Sequence, residues 1–241
     1  YCTSLLVGLF ISSFCAAPLA ARDTVELELV LAIDTSASVD MAEFRLQMRG
    51  LALAFQDPVI IAAIEGTGPA GIAVTVVQWS SAGEQRQVVP WTRIFDSGSA
   101  ERFAAAITAR PQRHFNGSTG IGGALRFSER LIRTSRFNGR RKSIDISADG
   151  INNSGPPPHI PRDEAVARGI TINGLAILDE APHLDRYFEE NVIGGAGSFV
   201  MTVASYADII AATRAKLLRE ISVSVAGGPI TKTNGKGERQ P

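Results

Sequence analysis

The chain has 241 residues, with 24 Lys and Arg against 24 Asp and Glu, so its formal net charge is zero. Its 45% hydrophobic and 20% charged residues are typical of a soluble globular protein with room for one large domain. The balanced charge excludes a strong overall field that would attract nucleic acid or an anionic membrane, so neither is expected as a partner.

The chain begins with an apolar segment. It carries no charge from Ser4 to Leu19, and small residues follow just before Arg22. This pattern is typical of the hydrophobic and cleavage regions of a secretory signal, and the run is short for a membrane span. We therefore assign residues 1–21 to an export signal. We expect a periplasmic or secreted protein without a stable membrane span after cleavage, the alternative being a retained anchor.

Both cysteines of the chain, Cys2 and Cys15, fall within this signal segment. The mature protein would then contain no disulfide, no catalytic thiol and no cysteine metal site. Lipid attachment at Cys15 is an alternative use of that residue.

The first half of the remaining chain alternates strand and helix patterns. A buried strand is predicted at 27–34, because a short run rich in β-formers ends there in Asp34. Asp40 and Glu43 form a capping box for a helix over 41–55, which Pro58 breaks or restarts. A second strand follows at 72–79, and residues 87–94 are predicted to turn back as an antiparallel edge strand.

The second half continues the alternation. Helices are predicted at 99–110, 121–135, 161–168, 184–192 and 206–221, and strands at 143–147, 170–177 and 199–203. Strands that alternate with helices favour an α/β fold with a mostly parallel sheet and helices on both faces. The predicted domain covers residues 25–222, and residues 223–241 lack apolar periodicity, as expected of a disordered tail.

Oxygen-bearing side chains stand where the predicted strands end, which is where open α/β sheets bind ligands. Asp34, Ser36 and Ser38 follow the first strand as D-x-S-x-S. Thr119 lies in a Gly-rich loop before the 121–135 helix, and Asp149 follows the middle strand, directly before a glycine. Each residue alone is explained by turn or capping hydrogen bonds, but the set of five at three places indicates a metal site.

This pattern resembles the metal-ion-dependent adhesion site of the von Willebrand factor A superfamily. The resemblance spans roughly residues 25–222 and implies a single Rossmann-like domain of that type. The segments RKSIDISADGINN and NVIGGAGSFV resemble more closely a bacterial von Willebrand A-like family of uncharacterised role.

The resemblance implies that Ser36 and Ser38 bind the cation directly and Thr119 directly or through water. It implies that Asp34 and Asp149 act mostly through water. Mg²⁺ is the expected ion, with Mn²⁺ or Ca²⁺ as alternatives, because hard cations take oxygen ligands. A shell of neutral hydroxyls leaves a position for a carboxylate of a protein partner. We therefore expect a monomeric binding or adhesion module and no enzyme activity.

Two alternatives for the function remain. One is an exported scaffold whose metal site no longer functions, and the other is a metal-dependent hydrolase. No catalytic Ser-His-Asp set supports the hydrolase, and the glycines near Thr119 do not match a nucleotide-binding spacing. Asp145, which lies within the predicted 143–147 strand, is expected to pair with Arg140 or Arg141, or else to support the metal site from behind.

Overall fold

The computed structural model describes residues 22–109, 112–179 and 181–226. The predicted export signal, residues 1–21, lies outside the described residues, as does the predicted tail from residue 227 onward.

Six strands form one sheet with the spatial order β3-β2-β1-β4-β5-β6. They are β1 Asp23–Asp34, β2 Ile72–Trp79, β3 Gln85–Ile94, β4 Phe137–Ala148, β5 Ile170–Ile177 and β6 Val200–Val203. All neighbouring strands in this sheet are parallel except β2 and β3. The tight turn between Ser80 and Glu84 explains the exception, because so short a connection joins only antiparallel strands.

Seven α-helices surround the sheet in the described part of the chain. They are α1 Met41–Ala54, α2 Pro58–Glu65, α3 Ser97–Thr108, α4 Ile121–Thr134, α5 His159–Ala167, α6 Leu184–Asn191 and α7 Ile209–Ala226. The capping box is confirmed, since the Glu43 amide donates to Asp40 and the Asp40 amide donates to the Glu43 carboxylate. A new helix, α2, begins at Pro58, because proline is favoured at the first position of a helix. None of the described helices combines the length and apolarity that crossing a membrane requires.

The helices divide between the two faces of the sheet. Side chains of α1, α2, α3 and α7 pack with Leu29 and Leu31 of β1 in one hydrophobic core. Side chains of α4, α5 and α6 pack with Val30 and Ala32 in the other. Alternate residues of β1 thus enter opposite cores, which is why this strand reads as a continuous apolar run. The predicted α/β fold, with one antiparallel edge strand and helices on both faces, is confirmed.

Strand β4 begins at Phe137, six residues before the predicted start at residue 143. The charged run that precedes Ser143 hides this extension in the sequence. The paired strand β1 explains it, because β1 also begins early and its Asp23 lies opposite Phe137 in the register. Pairing with a neighbouring strand thus outweighs the weak strand propensity of the charged residues.

The partner of Asp145 differs from the expectation. Asp145 forms an ion pair with the buried Lys216 of α7. Arg140 pairs with Glu26 of β1 at 3.0 Å, and Arg141 donates to the Glu220 carbonyl. The prediction that Asp145 pairs with Arg140 or Arg141 is therefore wrong. Lys216 lies 71 positions further along the chain, and only the packing of α7 on the sheet brings it to Asp145.

Candidate metal site

The five predicted site residues meet at one edge of the sheet. Strands β1 and β4 are parallel neighbours, so Asp34 at the end of β1 and Asp149 just after β4 lie at the same edge. An open cleft of about 610 Å³ lies there, and Ser38, Thr119 and Asp149 all line it. Ser36 is buried beside the cleft.

Four of the five residues form a continuous chain of hydrogen bonds. The Ser36 amide donates to Asp34 Oδ1 at 2.7 Å, and the hydroxyls of Ser36 and Ser38 are 3.2 Å apart. Ser38 Oγ then donates to Asp149 Oδ1 at 2.7 Å. The segments after β1 and β4 thus hold the Ser36 and Ser38 hydroxyls and an Asp149 carboxylate oxygen in one hydrogen-bonded row, which the Ser36 amide joins to Asp34.

Thr119 reaches the cleft from the loop before α4. Its backbone is tied to the segment after Asp149, because its amide donates to Asn153 Oδ1 at 2.8 Å and its carbonyl accepts from the Asn153 amide at 2.9 Å. A Cβ added to Gly150 would lie 3.5 Å from Thr119 Oγ1, so the hydroxyl adjoins the residue after Asp149. The loop after β4 therefore sets the position of Thr119.

The Gly-rich segment around Thr119 allows a close approach to the β2–β3 turn. A Cβ at Gly120 would lie 2.6 Å from the Ala82 amide nitrogen, and one at Gly123 would lie 2.4 Å from the Ala82 carbonyl oxygen. The Gly120 amide donates to the Ser80 carbonyl at 2.8 Å. Close packing of two backbones thus accounts for these glycines.

The electrostatics of the site centre on Asp34. Its side chain is fully buried, and burial, followed by the negative charge of Asp149, raises the pKa of Asp34 to about 8. Its Oδ2 atom is buried with no hydrogen-bond partner among the described residues. A buried carboxylate oxygen without a partner, next to a second carboxylate and three hydroxyls, fits a hard divalent cation.

The donor set is rich in hydroxyls and poor in charge. In the ranges that the structure covers, no group of three or more His, Cys, Asp or Glu side chains is placed to hold a metal ion. The five candidate residues comprise only two carboxylates, and their other three side chains carry neutral hydroxyls.

Two further residues support the site and were missed in the sequence. The Tyr206 hydroxyl donates to Asp149 Oδ2 at 3.1 Å, and burial together with the nearby Asp149 charge raises the pKa of Tyr206 above its usual value. Gln47 of α1 donates to the Asp34 carbonyl and accepts from Ser147, both at 3.3 Å. Tyr206 follows β6 at the same edge, and that position is the signal that could have identified it. Gln47 has no such signal, since it lies within a helix.

Solved structures share this fold at low sequence identity. Proximal thread matrix protein 1 from the mussel byssus, solved with a zinc-occupied MIDAS motif, aligns with 84% of this chain at a TM-score of 0.58 and 16% identity. The pilus adhesin SpaC from Lactobacillus rhamnosus GG aligns with 82% at 0.58 and 13% identity. A von Willebrand factor type A protein from Catenulispora acidiphila aligns with 82% at 0.56 and 20% identity.

These relatives are longer than the present chain. It spans 50% of the mussel protein, 31% of SpaC and 43% of the Catenulispora protein, so the likeness concerns the fold of one domain. A search of curated proteins returned no match.

A family profile matches most of the chain. The family is described as "Protein of unknown function (DUF1194)", and its profile covers residues 24–225, from the start of β1 almost to the end of α7. The sheet order, the single antiparallel edge strand and the structural matches agree with this assignment. The chain therefore belongs to the DUF1194 family, and its domain has the von Willebrand factor A fold.

Proposed function

We propose that this chain is an exported, divalent-cation-dependent binding module that engages an acidic group of a protein partner. The observation that carries the proposal is the hydrogen-bonded chain from Asp34 through Ser36 and Ser38 to Asp149, which opens with Thr119 onto one cleft. Mg²⁺ is the expected cation, with Mn²⁺ and Ca²⁺ as alternatives, because every donor is a hard oxygen.

The composition of the site favours binding over catalysis. In the proposed arrangement Ser36, Ser38 and Thr119 contact the cation with neutral hydroxyls, and Asp34 and Asp149 act mostly through water, so the direct ligands leave the positive charge of a bound cation only partly offset. An outside carboxylate would complete both the charge balance and the coordination. Metal and acidic ligand should then strengthen each other's binding by the same factor, because the coupling of two binding equilibria is reciprocal.

Two observations support the proposed location and partner. The apolar N-terminal segment favours export to the periplasm or the medium. Proteins of the same fold include one from the mussel byssus and a bacterial pilus adhesin, which is the setting expected of an adhesion module. We propose that this chain acts likewise outside the cell, as a monomer.

Isothermal titration calorimetry of the full chain tests the proposal. We expect Mg²⁺ and Mn²⁺ to bind wild type weakly, and more tightly when a peptide rich in Asp and Glu is present. Asp34→Ala should abolish both signals. Ser118→Ala is the matched control, since Ser118 lines the same cleft but is not one of the proposed ligands, and it should bind as wild type does.

Two results would contradict the proposal. If wild type binds neither cation, with or without the peptide, and Ser36→Ala with Ser38→Ala lowers only stability, the residues serve a structural scaffold. If the chain hydrolyses ester or phosphoester substrates and Asp149→Ala removes that activity, the site is catalytic.

A further inference from the structure

The zero net charge of the chain hides an uneven distribution of charge over its surface. Exposed arginines gather near the edge of the sheet at which the parallel strands begin, opposite the candidate metal site. β4 runs between the two edges, and the twelve residues from Phe137 to Asp149 span roughly 35–40 Å at the usual rise of a strand. We call this group the basic edge, and its members are Arg22, Arg130, Arg133, Arg136, Arg140 and Arg168.

Backbone contacts join the segments that carry the basic edge. Arg22 Nη2 donates to the Arg133 carbonyl at 2.7 Å, which brings the start of β1 to the end of α4. The Asp23 amide donates to the Arg136 carbonyl at 3.0 Å, in the connection between α4 and β4. Asp23 is itself exposed and supplies a negative charge to the same surface. The basic edge is therefore one continuous surface assembled from segments that are distant in the sequence.

Carboxylates offset only part of the charge of the basic edge. Arg140 pairs with Glu26 at 3.0 Å. Arg133 and Arg168 share Glu129, whose Oε1 atom lies 3.9 Å from Arg133 Nε and 3.4 Å from Arg168 Nε. One carboxylate thus faces two guanidinium groups, so a positive charge remains even among the paired residues.

The other three arginines of the basic edge have no carboxylate partner in the described part of the chain. They are Arg22, Arg130 and Arg136. Arg130 lies over the Phe127 ring and Arg136 over the Phe137 ring, 5.1 Å and 4.8 Å from the ring centroids. These contacts orient the guanidinium groups without neutralising them. Positive charge is in excess, because the carboxylates of this surface are Asp23, Glu26 and Glu129.

The chemistry and the position of the basic edge suit the surface of a membrane. All six cations are guanidinium groups, whose planar forks bind phosphate oxygens in pairs. Arg22 closely follows the apolar segment 4–19, so the domain is joined at this edge to the segment predicted to direct the chain to a membrane. Headgroup phosphates of an anionic bilayer would therefore be close to these guanidinium groups.

An exposed aromatic side chain at the same edge favours a bilayer over nucleic acid. Phe95 is 42% exposed and follows Ile94, which lies opposite Ile72 at the start of β2. The Arg93 guanidinium lies over its ring, 5.3 Å from the centroid. An aromatic ring beside a cation is suited to the headgroup region of a bilayer, where both apolar and charged groups find partners.

We infer that the basic edge docks the domain on an anionic phospholipid bilayer, with guanidinium groups contacting the headgroup phosphates. The inference shares the proposed export of the chain but does not depend on the proposed metal site. A domain bound in this way directs the candidate metal cleft away from the bilayer, because the cleft lies at the other ends of the same strands. The attraction acts within about 10 Å of the surface at moderate salt.

Cosedimentation of the full chain with lipid vesicles in low-salt buffer containing EDTA tests this inference. One arm uses phosphatidylcholine alone, and the other uses equal parts of phosphatidylcholine and phosphatidylglycerol. Any contribution of the apolar segment 4–19 is common to both arms, so the ratio of the two partition coefficients reports the charge. We expect a ratio on the order of 100, since each unpaired arginine contributes about fivefold, and its loss in about 0.5 M salt.

Matched double variants separate the basic edge from general surface charge. Arg130→Gln with Arg136→Gln should lower the ratio by about 25-fold. Arg45→Gln with Arg49→Gln removes the same charge from two exposed arginines of α1 that pair with no described carboxylate, and it should leave the ratio unchanged. Asp149→Ala should also leave it unchanged, so failure here is distinguishable from failure of the proposed metal site.

Several outcomes would overturn the inference. One is equal binding of the wild type to both kinds of vesicle. Another is an unchanged ratio for Arg130→Gln with Arg136→Gln, once circular dichroism shows that this variant is folded. An equal loss in the α1 double variant would assign the effect to overall charge. Tighter binding to a DNA duplex than to the anionic vesicles in the same buffer would assign the basic edge to nucleic acid instead.

Discussion

At the scale of single residues, the candidate metal site contains an electrostatic conflict. Asp34 is fully buried, carries an oxygen without a partner among the described residues, and lies close enough to Asp149 for that charge to raise its pKa. Such an arrangement disfavours the ionised form in the metal-free protein. A nearby divalent cation would reverse this preference, which links the stability of the domain to both pH and metal.

The first prediction concerns the pH dependence of stability in metal-free protein. The pKa of Asp34 is raised from 3.8 to about 8 in the folded state, so between these values the folded chain holds a proton that the unfolded chain has released. The free energy of unfolding should therefore fall as pH rises through this range, by at most about 1.4 kcal/mol per pH unit from this one group.

Chemical denaturation at several pH values checks this prediction. Asp34→Asn, which imitates the protonated acid, should remove that part of the slope. Asp23→Asn, at an exposed carboxylate at the start of β1, should keep it. A wild-type slope that Asp34→Asn leaves intact would show that Asp34 is not the titrating group.

The second prediction concerns the tyrosine that supports Asp149. Tyr206→Phe removes the only described hydrogen bond to Asp149 Oδ2 and leaves a buried acceptor without its donor. We expect the free energy of unfolding of the metal-free protein to fall by about 1–3 kcal/mol, which is the usual cost of leaving a buried acceptor without its donor. Urea denaturation measures it. Tyr187→Phe makes the same chemical change at a half-buried hydroxyl and should cost less, and an equal loss in both variants would contradict a special role for Tyr206.

At the scale of elements, α7 is joined to the sheet by buried charge as well as by apolar packing. Leu217 and Ile221 enter the core on that face, while Lys216 lies between Asp145 of β4 and Glu220 on its own helix. Burial raises the pKa of Glu220, and the positive charge of Lys216 opposes that rise. One cation thus offsets the charge of two carboxylates, the buried Glu220 and the largely buried Asp145.

The third prediction follows from this ion cluster. Lys216→Met keeps the apolar stem but removes the charge, so the buried Glu220 and the largely buried Asp145 lose their cation. We expect a loss of about 3–5 kcal/mol in unfolding free energy. Arg214→Met, also on α7, breaks a more exposed pair with Asp57 and should cost much less. Comparable losses in the two variants, measured by urea denaturation, would argue against a special contribution from the buried cluster.

At the scale of the whole molecule, one sheet presents two different edges. The carboxyl ends of the parallel strands carry carboxylates and hydroxyls around an open cleft, and the opposite edge carries a smaller pocket between β4, β5 and α7. Because β1 contributes side chains to both cores and ends at the cleft, a cation bound there would stabilise the domain as one cooperative unit.

The fourth prediction tests this at the level of thermal stability. Free Mg²⁺ at 100 times its Kd should stabilise the folded chain by about 2.7 kcal/mol, which raises Tm by about 5–11 °C for a domain of this size. Scanning calorimetry measures the shift. Ser36→Ala with Ser38→Ala should abolish it, and Arg219→Gln, at the far edge, should retain it. A shift that survives the double serine variant would place the cation elsewhere.

The sequence by itself determined the α/β class, the edge strand and the proximity of the loops that carry the five candidate residues. It could do so because apolar periodicity reports burial, and because parallel strands necessarily end at one edge. Only the tertiary structure decided which side chains meet across long separations, such as Tyr206 with Asp149 and Lys216 with Asp145. Those contacts depend on how the helices pack on the sheet, and the local sequence pattern does not specify that packing.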